Sequence, residues 1–138
     1  MTSVHSTIMD IMPKARKAIA QIRRSDFELA DDMERCFTRV ALDHAVGSAT
    51  RGKTRVQSLE SALAAAARLH AAYDLAQGFG YLRDCDDDFS DSLRDVTRSL
   101  ATMTAVARSA AQLDAQLYAE DAEEALESRP DDDPQSRC

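Results

Sequence analysis

The stretch Gly47-Ser48-Ala49-Thr50-Arg51-Gly52-Lys53-Thr54 has the spacing of a phosphate-cradling loop, two glycines separated by four residues and followed by Lys and Thr. That chemistry needs a β-strand before the loop and a helix after it, so that backbone N–H groups converge on the phosphates. The residues before Gly47 repeat with a helical period, so the match is read as chance. His70 stands four residues before Asp74, and His44 follows Asp43. Metal centres in helical bundles use a Glu on each of two helices and paired Glu-x-x-His motifs, and no Glu-x-x-His occurs here. His44 and His70 are expected to be core or interface residues. Asp84-Cys85-Asp86-Asp87-Asp88 opens like a calcium loop but has Phe89 where the sharp turn needs Gly and Asp95 where a bidentate Glu closes the shell. No nucleophile, base and orienting group can be assembled into a set. The expectation is therefore no catalytic residue, no metal ligand and no cofactor; a metal or nucleotide enzyme is the third reading.

The remaining chemistry is cationic. Arg51, Lys53 and Arg55 cluster in five residues, and Lys14, Arg16, Lys17, Arg23 and Arg24 crowd the first segment. Arg51, Lys53, Arg55, Lys14, Arg16 and Lys17 are the candidate contacts for nucleic acid or for an acidic protein surface. The bland alternative is a solvated face balanced by Asp26, Asp31 and Asp32.

The elements that would position these residues are helical. Ile8, Ile11, Ala15, Ile19 and Ile22 step by three and four, with Pro13 expected to kink that helix or split off its first turn. Ser25-Asp26-Phe27-Glu28 fits a capping box for a second helix carrying Ala30, Met33, Phe37, Val40, His44 and Gly47. Gly47 to Gly52 reads as its end and turn. Thr54-Arg55-Val56-Gln57 offers a second capping box, ahead of Leu59, Leu63, Ala66, Ala67, His70, Tyr73 and Leu75. Alanine density there favours close packing, and Gly78 and Gly80 supply a stop. A fourth helix follows through Phe89, Leu93, Val96, Leu100, Met103, Ala107, Ala110 and Leu117. The predicted architecture is all-α, an antiparallel up-and-down four-helix bundle over residues 1–127 with a disordered acidic tail over 128–138. In such a bundle Arg23 and Arg24 lie at the end away from the Arg51–Arg55 turn.

Composition agrees with this class and excludes others. Of 138 residues 44% are apolar, 30% charged and 5% aromatic, and four Gly and three Pro leave few reversals for an all-β fold. No apolar run approaches the ~18 residues that span a bilayer. Neither a membrane role nor a signal peptide is expected. Cys36, Cys85 and Cys138 are too widely spaced for a zinc site and odd in number, which suits free thiols and a cytoplasmic location. The net charge is −7, unevenly spread: residues 1–58 hold 10 Lys/Arg against 7 Asp/Glu, and residues 59–138 hold 7 against 17. An acidic chain is a poor non-specific nucleic-acid binder overall, yet this asymmetry leaves room for one basic face.

From Asp26 to Leu82 the chain resembles a bacterial four-helix-bundle family. Its members include proteins encoded in intervening sequences of large-subunit rRNA genes, with the accessory variability proteins of diversity-generating retroelements as relatives. Ala41-Leu42-Asp43-His44-Ala45-Val46-Gly47 stands at an Asn-x-Ala-Glu-Gly-like motif, Arg51-Gly52-Lys53-Thr54-Arg55 at a basic turn, and Phe79-Gly80-Tyr81-Leu82 at a Leu-Gly-Tyr end. Asp43 replaces the usual Asn and Val46 the usual Glu. The resemblance implies a non-enzymatic homo-oligomer, often a pentamer. It also implies a protein or ribonucleoprotein partner, which in the retroelement members is a reverse transcriptase. The leading expectation is an oligomeric helical scaffold or accessory protein; the alternative is direct RNA or DNA binding through the basic turn.

Overall fold

The computed structural model describes residues 3–83 and 87–127. Four helices fill them: α1 Val4–Arg23, α2 Phe27–Ala49, α3 Gly52–Gly78 and α4 Asp87–Glu127. No strand occurs among the described residues. α1 packs along α2 and α4, and α3 packs along the same two, so the four helices close around a shared core. The expected tail, residues 128–138, lies outside the described residues, as do Cys85, Cys138 and most of the calcium-like run.

Local chemistry sets the helix ends, with some departures from the sequence reading. Ser3 caps α1 by accepting the Ser6 N–H at 3.0 Å. Pro13 sits inside α1, which continues through it as one element instead of losing its first turn. α2 is capped by Asp26, whose carboxylate accepts the Leu29 N–H at 2.9 Å, and not by Ser25. The reason is local: the N–H groups of Ser25 and Asp26 both donate to the Ile22 carbonyl, at 3.0 and 2.7 Å, so the turn that ends α1 runs through Ser25, and Asp26, with its extended backbone, is the residue that stands before α2. α3 starts at Gly52 with Arg51 as its N-cap, three residues before the expected cap Thr54, because Gly52 takes a φ of +65° and lets the chain reverse at once. Its N-cap, Arg51, makes no side-chain capping bond. α3 ends as expected: Tyr81 N–H reaches the Ala76 carbonyl, Gly80 N–H reaches that of Gln77, and Gly80 has a φ of +74°.

The core has two parts. Toward the α1 C-terminus Ile11, Ile22, Met33, Leu69, Tyr73 and Phe89 pack together, with the Tyr73 and Phe89 rings 4.8 Å apart at 56°. Toward the α2–α3 turn Ile8, Val40, Leu59, Ala62, Val96 and Leu100 take over. The buried stripe of α3 is Leu59, Ala62, Ala66, Leu69, Tyr73 and Ala76, while Ala67 and Leu75 are exposed and Leu63 and His70 only half-buried. Alanines surround this helix, so apolarity alone does not single out one face. Gly47 continues the buried stripe of α2, against Leu59, and the helix ends at Ala49, within the expected Gly47–Gly52 end and turn.

α4 is the outlier, with 41 residues against 27 in α3. Phe89, Leu93, Val96, Leu100 and Ala107 are buried, and Thr104 completes that face by donating to the Leu100 carbonyl at 2.7 Å. From Gln112 to Glu127 every residue is exposed. The continuous apolar stripe read from the sequence therefore divides: Ala107 stays in the core, whereas Ala110 and Leu117 face outward.

Candidate functional site

Two separate surfaces gather the candidate cations. The first is the α2–α3 turn, where Arg51 and Lys53 are exposed and Arg55 is half-buried. The Arg55 Nε is buried and has no hydrogen-bond partner in the protein. None of the three forms an ion pair among the described residues. Lys53 lines a shallow recess of about 260 Å³ with Val56, Gln57, Arg108 and Gln112, so α4 brings Arg108 to the basic turn. Arg108 itself is held by Glu60, at 2.7 and 2.8 Å. Sequence reading missed Arg108 because its pairing with Glu60 spans 48 residues; only the register of α3 against α4 reveals it.

The second surface is the α1–α2 groove, about 560 Å³, floored by Met12, Ala15, Ile19, Ala20 and Phe37. Arg16, Arg23 and Arg24 line it. Arg23 is fixed in place: Nη1 donates to Asp31 at 2.6 Å and Nη2 to Glu34 at 2.8 Å, and its guanidinium lies 4.9 Å from the Phe27 ring centre. The Asp31 bond, with both carboxylates nearby, holds its pKa above the ordinary arginine value. Arg16, Lys17 and Arg24 form no ion pair among the described residues. Lys14 turns instead to the start of α4, 3.7 Å from Asp88. The six candidate cations thus do not form one patch. Arg16 belongs to the α1–α2 groove with Lys17 exposed beside it, the Arg51–Arg55 cluster to the α2–α3 turn, and Lys14 to an ion pair.

The polar residues between the helices are mostly structural. Asp43 accepts a bond from Ser61 at 2.5 Å, tying α2 to α3. Asp32 takes a two-pronged contact from Arg68, at 2.9 and 3.0 Å, which raises the arginine's pKa. His44 is buried, its Nε2 lying 3.4 Å from Ser48 Oγ and its Nδ1 unpartnered in the protein. Burial, and secondarily the charge of His5, lowers its pKa. His70 is half-buried, with Nδ1 3.3 Å from Asp74. No group of three or more potential metal ligands occurs among the described residues. The phosphate-loop mimic is split between two helices, with Gly47 inside α2 and Gly52 opening α3.

The most unusual exposed feature is on α4. Val106, Leu113, Leu117, Tyr118 and Leu126 stand 52–79% exposed. Val106, Ala110, Leu113 and Leu117 repeat at intervals of four, three and four, which places them along one helix face. No described helix is long and apolar enough to cross a membrane. Comparison with known proteins returns no match: no family model fits the chain, and no curated protein or solved structure is significantly similar.

Proposed function

We propose that this chain is a non-catalytic helical assembly protein, working in the cytoplasm as a scaffold or accessory for a protein or ribonucleoprotein partner. The observation that carries this reading is the apolar row Val106, Leu113 and Leu117, on a helix that outruns its bundle. Scattered exposed apolar side chains are ordinary, but a row at coiled-coil spacing gains free energy only when another surface covers it. The bundle beneath is antiparallel and up-and-down in this reading. Contacts that advance along α2 retreat along α3, from Asp32–Arg68 to Asp43–Ser61, and those between α3 and α4 run likewise from Tyr73–Phe89 to Glu60–Arg108. The resemblance to the intervening-sequence family points the same way, toward a ring-like homo-oligomer. Mass in solution tests the proposal: a discrete multimer is expected, and a monomer at tens of micromolar would overturn it.

A second reading, direct binding of RNA or DNA, is favoured by Arg51, Lys53 and Arg55, which carry no ion pair among the described residues, and by Arg108, which shares a recess with Lys53. It requires salt-dependent affinity that falls when the three become alanine.

A further inference from the structure

We propose that the α4 extension of one copy seats in the α1–α2 groove of a second copy. This rests on the assembly reading and names the two surfaces that meet.

The two faces are complementary in shape and charge. The extension offers Leu113 and Leu117, one helical turn apart, as anchors for a helix-in-groove contact. The groove offers a floor of Met12, Ala15, Ile19, Ala20 and Phe37, where Ala15, Ile19 and Phe37 rest on the core beneath and Met12 and Ala20 stay exposed. Residues 112–127 hold six carboxylates (Asp114, Glu120, Asp121, Glu123, Glu124 and Glu127) and no Lys or Arg. None of these carboxylates forms an ion pair among the described residues. The groove is net positive: Arg16, Arg23 and Arg24 line it against the single carboxylate of Glu34, which Arg23 holds, so Arg16 and Arg24 stay unpaired among the described residues, with Lys17 exposed beside Arg16. The extension thus brings unpaired carboxylates to a groove that holds unpaired cations. Oppositely charged rims around apolar centres steer association and fix its register.

The contact must form between copies. Lys14 beside Asp88 places the groove near the first turn of α4, and Arg108 beside Glu60 shows α4 leaving the bundle at the α2–α3 end. The extension, 16 residues and about 24 Å long at helical rise, therefore points away from its own groove. Donor and acceptor lie on different parts of the chain, so each copy can give one helix and receive one. Such a pairing closes as a reciprocal dimer or as a ring.

A mixing experiment tests this with the full chain. L113D/L117D disables the extension, and R16E/R24E disables the groove. All four positions are exposed, and circular dichroism confirms that both variants stay helical. Each variant alone is expected to associate roughly tenfold or more weakly than wild type, by sedimentation velocity. Mixed together they form a one-to-one heterodimer, since one retains an intact groove and the other an intact extension. Adding E120K/E124K to R16E/R24E restores self-association by exchanging the charges. If wild type assembles and R16E/R24E assembles equally well, the groove is not the receptor, although the assembly reading stands. If wild type is monomeric, both readings fail and the extension serves a different protein.

Discussion

A Cβ on Gly47 would stand 2.7 Å from Leu59 Cδ2 and 2.9 Å from Leu59 Cγ. This pair sets how near α2 and α3 come at the turn. Leu59 is fully buried, so moving it aside disturbs its core neighbours. Replacing Gly47 with Ala improves helix propensity by up to ~1 kcal/mol, whereas overpacking a core costs ~1–3 kcal/mol. G47A is expected to be destabilised by about 1 kcal/mol, read as a lower urea midpoint with an unchanged slope. A midpoint above wild type would show that Leu59 can give way.

His44 makes stability depend on pH. Its folded-state pKa lies below the unfolded value of about 6.5, because burial disfavours the imidazolium. The unfolded chain therefore binds the proton first. The contribution of His44 is fully present above about pH 6.5 and falls as pH drops through that value toward the lower folded pKa. The difference in unfolding free energy between wild type and H44N should narrow or reverse from about pH 7.5 to 5.5. A difference constant across that range would contradict the burial account.

The Tyr73–Phe89 pair anchors the start of α4 to α3 near the end of the bundle where α1 finishes. Phe89 is 1% exposed in a core otherwise rich in alanine, so little neighbouring bulk can fill the space it leaves. F89A should cost about 3–5 kcal/mol, with F89L well under half of that. Equal losses for the two variants would point to the ring contact itself over the volume it fills.

Cys36 is buried, and desolvation raises its thiol pKa, with Asp32 adding to the effect. In a C85S/C138S background maleimide labelling should be slow in buffer and fast in urea. Fast labelling of the folded protein would show that the α2–α3 contact around Cys36 opens readily.

How far these features were legible in the sequence follows from how local they are. The four helices came through because Ile8, Ile11, Ala15 and Ile22, and likewise Phe89, Leu93, Val96 and Leu100, repeat at three and four. Helix starts slipped by one and three residues where the neighbouring turn decided them: the turn that ends α1 runs through Ser25, and Gly52 reversed the chain before Thr54. The face of α3 was misassigned at Ala67 and Leu75 because alanine contrasts weakly with its neighbours. The surfaces were least legible. Arg108 joins Lys53 only through the pairing of α3 with α4, and the division of the α4 stripe depends on where α3 begins. The spacing of Val106, Ala110, Leu113 and Leu117 was a usable signal, masked by the core stripe running beside it.

The most direct measurement is solution mass by light scattering across a concentration series, on wild type and on L113D/L117D. The account predicts a discrete multiple of the 15.2 kDa chain for wild type and a return toward the monomer in the variant. A wild-type chain that stays at 15.2 kDa up to tens of micromolar would contradict it.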